Sequence, residues 1–466
     1  MNFLNNAILA FNDFLWTYIL IGMLIIVGLY FTFRTKFVQF RNIKEMFRLL
    51  NDGATNDKDK NSVSSFQAFC ISTASRVGTG NLAGIATAIS IGGPGSIFWM
   101  WLIALIGSAS SFIESTLAQI YKEKDGDNYI GGPAYYMEKG LKKKWMGVLF
   151  AILITIAFGL VFNSVQANTI ALSMNSSFGF NKTIIGAIIT ILTLVIIFGG
   201  VNRIAKVSSV IVPIMAIAYI LVALFIVFKN ITALPQVFKM IFENAFGLNQ
   251  IVGGGIGAAL MQGIKRGLFS NEAGMGSAPN AAATATVSHP VKQGFIQTLG
   301  VFTDTLIICS CTAFIILLSD VPLDGSVKGI ELTQLAINSQ VGSWGGIFIS
   351  ICILLFAYSS IIGNYYYGET NIQFITNKKI YLAIYRLFVG LMVFFGSLVS
   401  MDIVWNLADV FMGLMAIINL IAIVLLSKIA FKALEDYMIQ KKSGIKDPVF
   451  KSSSIPELDD ELTEWK

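Results

Sequence analysis

The chain has 466 residues, of which 55% are apolar and only 13% are charged, and its mean hydropathy is +0.71. A soluble domain carries about 25% charged residues, so this composition excludes one and indicates an all-α integral membrane protein. The net charge of +6 comes from basic residues spread over many segments, with no patch on a soluble domain, so we expect no nucleic-acid partner.

Apolar segments of membrane length recur along the chain. Crossing a hydrocarbon layer of about 30 Å at about 1.5 Å per helical residue takes about 20 residues. The first such segment follows no basic region and precedes no small-residue cleavage site, which predicts a retained helix and not a signal peptide. Allowing for two interruptions, we predict eleven transmembrane helices, near residues 12–34, 66–91, 94–121, 146–173, 182–201, 204–228, 250–286, 292–319, 343–369, 380–399 and 402–428.

The positions of Lys and Arg predict the orientation of these helices. With the N-terminus outside and eleven spans, 26 of the 33 Lys and Arg residues lie in inner segments and four lie in outer ones. Cytoplasmic loops carry an excess of Lys and Arg. We therefore expect a multi-pass protein of the cell (plasma) membrane, embedded in the lipid bilayer, with its N-terminus outside and its C-terminus in the cytoplasm.

Two of the apolar segments contain glycine-bearing interruptions. They are residues 77–81 (VGTGN) and residues 269–276 (FSNEAGMG). An unpaired backbone amide in lipid costs several kcal/mol, so a broken helix persists only where the freed groups line a protein cavity. A single Gly-x-Gly is better explained by close packing of helices, but a pair of breaks in corresponding positions of two halves indicates the binding site of a transporter.

The ten helices after the first divide into two groups of five. Each group opens with a broken helix, the first and the sixth of this ten-helix core, and has a long semi-polar connection after its second helix, at 122–145 and 320–342. The charge count puts these connections on opposite sides, which indicates a five-plus-five inverted repeat, although two long loops can also match by chance. The predicted parts are an extra N-terminal helix (1–34), a cytoplasmic connection (35–65), the first repeat (66–228), the second repeat (229–428) and a cytoplasmic tail (429–466). The tail has few apolar residues to bury, so we expect it to be flexible.

An unwound stretch between two half-helices offers two kinds of ligand. Free amides at the start of a half-helix suit a carboxylate, and free carbonyls at the end of one suit a hard cation. The amides of Thr79 and Gly80 open the second half-helix of the first break and are candidates for holding a substrate carboxylate. Glycine at positions 78 and 80 permits close approach of a ligand to the backbone.

Several motifs resemble the alanine-or-glycine:cation symporter family. They are residues 92–101 (GGPGSIFWMW), 77–84 (VGTGNLAG), 267–279 (GLFSNEAGMGSAP), 289–294 (HPVKQG) and 365–369 (YYYGE), and the resemblance covers about residues 12–430. It implies the fold of the bacterial leucine transporter and import of a small neutral amino acid, alanine or glycine, by symport with sodium. Proton coupling and a preference for glutamine fit the resemblance as well. We expect the protein to function as a monomer.

The wider fold implies a role for individual residues. Residues 75–81 match the leucine transporter's first break in spacing, which implies that the carbonyls of Ala74 and Val77, with the hydroxyls of Ser359 and Ser360, form a sodium site. Asn81 and Ser270 match ligands of a second sodium site, and oxygen ligands suit a hard cation. The resemblance places further residues at the substrate: Phe269 as an aromatic lid, Met275 as an apolar wall, Gln166 as a contact, and Asn271 and Gly276 from the second break.

Charged residues inside spans are functional by default. Besides Glu114 and Asp304, they include Arg76, for which we expect an ion pair with Glu114 or Glu272, because a buried charge must be paired. The cations of Lys265 and Arg266 fit either a gating role or simple snorkelling to the interface. Glu272 is expected to be the partner of a nearby cation, the other possibility being a proton site, and Asp402 and Asp409 are expected at the outer surface.

Other classes of function are less well supported. With one histidine, His289, the chain cannot form a His-Glu-x-x-His zinc site, and it contains no Gly-x-Ser-x-Gly elbow and no Gly-x-x-x-x-Gly-Lys phosphate loop. An enzyme and an ATP-driven pump are therefore not expected. A cation channel also uses oxygen-lined breaks and remains the alternative.

Overall fold

The computed structural model describes residues 2–52, 63–126, 128–198, 200–247, 255–458 and 462–465. Nearly all of them are helical, because a helix satisfies its own backbone hydrogen bonds where no water is available. The first part of the chain forms α1 (Asn2–Phe14), a π-helical segment (Leu15–Leu20), α2 (Ile21–Arg34), α3 (Val38–Arg41), α4 (Ile43–Leu50), α5 (Ser65–Arg76), a second π-helical segment (Gly80–Gly84), α6 (Ile85–Gly92) and α7 (Ser96–Ile120).

A short antiparallel hairpin follows α7, with Lys124 opposite Tyr129. Its strands and the next helices are β1 (Glu123–Asp125), β2 (Asn128–Ile130), α8 (Pro133–Lys139), α9 (Lys144–Ile154), a π-helical segment (Thr155–Phe162), α10 (Asn163–Phe178), α11 (Lys182–Ile197), α12 (Gly200–Lys229) and α13 (Leu234–Ala245). The remaining helices are α14 (Gly255–Asn271), α15 (Ala278–Thr284), α16 (Pro290–Val301), a π-helical segment (Phe302–Cys309), α17 (Ser310–Leu317), α18 (Gly329–Val341), α19 (Trp344–Ile375), α20 (Lys379–Leu398) and α21 (Met401–Lys442), followed by two 3-10 turns (Ser452–Ser454 and Pro456–Leu458).

Long apolar helices dominate the described part of the chain. Eight of them are long and apolar enough to cross a membrane, and two shorter apolar helices cover Gly80–Gly92 and Lys182–Ile197. The chain is thus an all-α multi-pass membrane protein, as its composition predicts. The segment predicted to begin at residue 250 starts among residues 248–254, which lie outside the described residues, as do 53–62 of the predicted cytoplasmic connection.

Both predicted helix breaks are present. After a capping box formed by Ser64 and Gln67, α5 ends at Arg76, and the extended Val77 (φ −81°, ψ 92°) separates it from the helical turn that begins at Thr79. Between α14 and α15 the backbone takes left-handed values at Gly274 (φ 82°) and Gly276 (φ 87°). Glycine reaches this region without steric cost, so these two residues let the chain unwind.

The two breaks lie in the buried centre of the molecule. Helix α7 packs against α14, α15 and α16, while α5 packs against α12 and α19, and α10 packs against α19 and α20. Every residue from 70 to 90 and from 263 to 287 is buried. The N-terminal helix α2 lies outside this centre against α7, where a Cβ on Gly28 would come within 3.1 Å of the carbonyl oxygen of Ile106.

The C-terminal segment differs from the expectation of a flexible tail with little to bury. Helix α21 continues to Lys442, beyond the predicted apolar run that ends at residue 428. After it, Phe450 and Trp465 are buried, the Phe450 amide donates to the Ser288 carbonyl at 2.9 Å, and the Trp465 indole donates to the Gln119 carbonyl at 2.9 Å. The apolar residues of the tail are few, but they dock on the ends of helices that the sequence alone does not place together.

Candidate functional site

The first break brings together three of the four residues predicted for one sodium site. The hydroxyl of Ser360, on α19, lies 2.8 Å from the carbonyl oxygen of Ala74 and 3.3 Å from that of Val77. The neighbouring Ser359 hydroxyl instead donates to Phe356 within its own helix at 2.8 Å. All of these atoms are buried oxygens, and such a donor set fits a hard cation such as sodium. Their role in sodium binding stays a prediction.

Gln166, on α10, contacts the backbone of the same break. Its side-chain oxygen accepts a hydrogen bond of 2.9 Å from the Thr79 amide, one of the two amides predicted to hold a carboxylate. A Cβ on Gly78 would come within 2.8 Å of this oxygen, so glycine is needed there for the close approach. Gln166 and Thr79, each predicted as a substrate contact, are therefore neighbours, and a carboxylate that takes the Thr79 amide must displace the Gln166 oxygen.

A second cluster of polar atoms joins the two broken helices. The side-chain nitrogen of Asn81 donates to the carboxylate of Asp304 at 2.6 Å, and the hydroxyl of Ser270 donates to the same carboxylate at 2.8 Å. Thr305 donates to Asp304 at 3.0 Å, and the Asn81 side-chain oxygen accepts from the Gly78 amide at 2.9 Å. Asn81 and Ser270, the predicted ligands of the second sodium site, are thus brought together by a carboxylate that the sequence identified only as a charge within a span.

Glu114, on α7, holds the second break. Its two carboxylate oxygens accept hydrogen bonds of 3.1 Å from the amides of Gly274 and Gly276. Asn419, on α21, donates to Glu114 at 2.7 Å and to the Gly274 carbonyl at 2.9 Å, and Tyr136 donates to Asn419. The Gly276 amide is thus bound to a side chain of the protein, and a direct substrate contact through it stays a prediction.

The other predicted residues of the second break are buried, with differing surroundings. The Asn271 side-chain oxygen accepts from the Ala273 amide at 3.0 Å, while its nitrogen has no partner among the described residues. Met275 is fully buried. Glu272, at φ 58°, accepts from the hydroxyls of Ser75 at 2.7 Å and Ser277 at 2.6 Å. Glu272 therefore links both breaks through hydroxyl groups.

The expected ion pair of Arg76 does not form within the described part of the chain. The guanidinium donates to the Gln297 carbonyl at 3.3 Å, and its other two nitrogens have no partner there. Glu114, Glu272 and Asp304 are buried as well and outnumber this cation around the two breaks, so the acidic groups there can compensate bound cations.

Aromatic rings and an ion pair close one side of the site. The ring of Phe269 lies 4.6 Å from that of Phe162 and 4.7 Å from that of Trp405, and a Cβ on Gly80 would come within 3.0 Å of Phe269. Next to these rings, Arg266 stacks on Trp405 at 4.6 Å and pairs with Asp409 at 2.6 Å. The position of Phe269 beside Gly80 agrees with a lid.

Two expectations about charges on this side need correction. Asp409, expected at the outer surface, is buried, because it is the partner of Arg266 and lies 3.7 Å from Lys265. Lys265 and Arg266 are buried too, so they do not snorkel to an interface. An ion pair between α14 and α21 in contact with the aromatic cluster is an arrangement that can gate access to the breaks.

The family model described as "Sodium:alanine symporter family" matches residues 1–452. The chain belongs to the sodium:alanine symporter family. Since this is a family of secondary transporters, the prediction of a sodium-coupled carrier and not an enzyme is confirmed at the level of the family.

Curated relatives and a solved structure agree with the family. The chain is 61% identical over 439 residues, 94% of its length and 91% of the relative's, to the probable sodium/glutamine symporter GlnT of Bacillus subtilis (strain 168). It is 57% identical over 457 residues, 98% and 97% of the two chains, to the amino-acid carrier protein AlsT of the same organism. The crystal structure of MhsT in complex with L-phenylalanine aligns with a TM-score of 0.60 at 17% identity, covering 87% of this chain and 93% of that one, which shows a common fold.

Sequence analysis missed the role of two acidic residues in this site. Asp304 and Glu114 stood out only as charges within apolar spans, a signal that marks a functional position without naming its partners. Asp304 lies in a π-helical segment and reaches two different broken helices, and Glu114 binds backbone amides. A backbone amide is present in almost every residue type, so the sequence does not indicate which amides Glu114 binds. Only the fold reveals this contact.

Proposed function

We propose that this chain imports a small neutral amino acid, alanine or glycine, by symport with sodium. The observation that carries the proposal is the meeting of two buried oxygen clusters, around Ser360 and around Asp304, at the broken helices. In this proposal each cluster holds one sodium ion, and the substrate lies between Gly80, Gln166 and Phe269. A bound sodium ion beside the substrate carboxylate stabilises that carboxylate, so the binding of sodium and the binding of substrate are coupled.

The proposed topology is the one that the charge count predicts. Eleven helices cross the cell membrane, with the N-terminus outside and the C-terminus in the cytoplasm, and the protein works as a monomer. The parts are an extra N-terminal helix (1–34), a cytoplasmic connection (35–65), two five-helix repeats of opposite orientation (66–228 and 229–428) and a cytoplasmic tail (429–466). The two breaks, each at the start of a repeat, support this arrangement.

Glutamine is the second candidate substrate. The observation that favours it is the 61% identity to a relative described as a probable sodium/glutamine symporter. Counter-flow in proteoliposomes preloaded with unlabelled alanine, glycine or glutamine separates the candidates, because only a transported amino acid drives uptake of its labelled form. Uptake of labelled glutamine into glutamine-loaded vesicles, without uptake of labelled alanine into alanine-loaded ones, would contradict the preference for alanine.

The coupling itself has a quantitative expectation. One sodium ion moving down about 100 mV releases about 2.3 kcal/mol, and a tenfold gradient adds about 1.4 kcal/mol, which together support roughly 500-fold accumulation. Sodium and substrate should raise each other's affinity by the same factor. Equilibrium binding of labelled substrate to the purified protein, with sodium or with choline, measures this factor. Equal affinity in both solutions would exclude sodium coupling and leave a proton-coupled carrier or a channel.

A further inference from the structure

A basic cavity lies where the N-terminal helix meets the last helix. It has a volume of about 380 Å³ and is lined by Arg34, Lys36 and Arg41 on one side and by Phe431, Glu435 and Lys442 of α21 on the other. Four cations and one carboxylate therefore face a single cavity. In the proposed topology this cavity lies at the cytoplasmic surface of the membrane, and none of its lining residues belongs to the broken helices.

The cations that line this cavity form no ion pairs within the described residues, unlike the basic residues next to them. Within the described residues, none of Arg34, Lys36, Arg41 and Lys442 forms an ion pair, and the guanidinium of Arg34 instead stacks on Phe431 at 5.3 Å. On the same face Arg48 pairs with Glu45 at 2.9 Å and Lys441 with Glu45 at 3.2 Å. The carboxylates of this face thus neutralise the cations outside the cavity and leave those inside it available for an external anion.

The turn between α2 and α3 positions one of these cations. Lys36 (φ 53°) and Phe37 (φ 58°) are consecutive left-handed residues, a conformation that side chains with a Cβ disfavour. The turn is held by the Phe37 amide, which donates to the Thr32 carbonyl at 2.8 Å, and by the Thr35 hydroxyl, which donates to the Phe31 carbonyl at 2.7 Å. It brings Lys36 to the cavity together with Arg34 and Arg41. Strained backbone of this kind concentrates at ligand sites.

An apolar rim of exposed phenylalanine rings lies on and just after the segment of chain that carries Arg34, Lys36 and Arg41. Phe33 is 63% exposed, Phe37 is 45% exposed and Phe40 is 44% exposed, and Phe47 on the amphipathic helix α4 is 57% exposed. Exposed rings beside basic residues are typical of helices that lie at the boundary of headgroups and acyl chains. The rim therefore places the cations at the depth of lipid phosphates, and the rings at the depth of acyl chains.

We propose that this cavity is a binding site for the phosphate of an anionic phospholipid. Arg34 and Arg41 offer planar guanidinium groups that can bind two phosphate oxygens each, while Lys36 and Lys442 contribute point charges. Basic pockets between transmembrane helices at the cytoplasmic side bind such headgroups. A soluble phosphate would gain the same charge contacts but would leave the phenylalanine rim uncovered, so the rim favours a lipid as the source of the phosphate.

Native mass spectrometry of the delipidated protein tests the proposal. We expect phosphatidylglycerol to bind at least tenfold more tightly than phosphatidylcholine, and the variant Arg34→Gln/Lys36→Gln/Arg41→Gln to lose this preference. The matched control is Lys378→Gln/Lys379→Gln, which removes cations from another cavity, of about 570 Å³, where Glu123, Asp125 and Glu138 are also part of the lining. The control should keep the wild-type preference.

Two further arms decide the remaining outcomes. In the first arm, glycerol phosphate or inorganic phosphate is added at the concentration at which phosphatidylglycerol saturates the protein. Either anion should displace little bound lipid. Full displacement would show that the cavity binds soluble anions and would overturn the proposal. If the triple variant does not fold, Lys36→Gln/Lys442→Gln provides the same test with two exposed side chains. Equal binding of both lipids by the wild type, or an unchanged preference in a folded variant, would also overturn it.

Discussion

Two adjacent hydroxyl groups on α19 have different surroundings. Ser360 reaches the carbonyls of Ala74 and Val77 on the first broken helix, whereas Ser359 donates to Phe356 within its own helix. The resemblance to the leucine-transporter fold implies that both hydroxyls are sodium ligands. The geometry makes Ser360 the stronger candidate, because its oxygen already lies beside two carbonyl oxygens.

We predict that Ser360→Ala raises the sodium concentration for half-maximal transport at least tenfold, or about 1.4 kcal/mol. The proposed site loses one neutral oxygen that the carbonyls alone cannot replace. Ser359→Ala serves as the matched control and should change this concentration less than threefold. Sodium titration of substrate uptake in proteoliposomes measures both variants, and the opposite ranking of the two serines would move the site towards Ser359.

At the scale of single residues, the resemblance to a known fold identified residues that lie together although they are far apart in the chain. Ala74, Val77 and Ser360 meet as the resemblance implied, and Asn81 meets Ser270. Asp304 connects the latter two, yet nothing around it in the sequence names them. The spacing within a helix break is a local property, whereas the contact of Asp304 depends on how three separate helices pack.

The second broken helix is stabilised by a neighbouring helix and not by its own sequence. Unwinding frees the amides of Gly274 and Gly276, and the carboxylate of Glu114 accepts a hydrogen bond from each. Buried amides without acceptors cost about 1–3 kcal/mol each. Glu114 therefore fixes the path of the backbone that follows Phe269 and Asn271.

We predict that Glu114→Gln lowers substrate affinity about tenfold, because one amide loses its acceptor and the break relaxes. The matched control is Glu369→Gln, which removes another buried carboxylate, one that pairs with Arg386 at 3.0 Å away from the breaks. Substrate binding and thermal unfolding of both purified variants separate positioning from general stability. If both variants lose stability but keep wild-type affinity, Glu114 does not position the site.

At the scale of the whole molecule, one face joins segments from both ends of the chain. Glu45 on α4 pairs with Arg48 and Lys441 and accepts a hydrogen bond of 2.5 Å from Tyr437 on α21. Burial raises the pKa of Glu45, but the hydrogen bonds from Arg48, Tyr437 and Lys441 outweigh it and lower the pKa from 4.5 to about 2. The docking of α4 on α21 therefore depends on an ionised carboxylate.

We predict a pH-dependent stability difference between the wild type and Glu45→Gln. A lowered pKa stabilises the folded state above the unfolded value of 4.5, and this contribution is lost as the pH falls from about 4.5 to about 2. Solvent screening reduces the effect, so we expect a difference of about 1–2 °C at pH 7 that disappears near pH 2. Thermal unfolding in detergent measures it.

The control for this prediction is Glu331→Gln, on α18, whose exposed carboxylate forms no ion pair within the described residues. Its unfolding temperature should follow that of the wild type at every pH. A difference between Glu45→Gln and the wild type that persists unchanged down to pH 2 would mean that the packing of the side chain, and not its charge, holds α4 on α21.

The sequence by itself determined the membrane class, the positions of the apolar helices, the two breaks and the family. These features depend on local composition, on segment length and on motifs that are continuous in the chain. Only the tertiary structure decided that Asp409 is buried against Arg266, that Arg76 has no direct carboxylate partner among the described residues, and that Trp465 docks beside Gln119. The physical reason is that the partner of a buried charge or ring is chosen by helix packing, which brings together residues hundreds of positions apart.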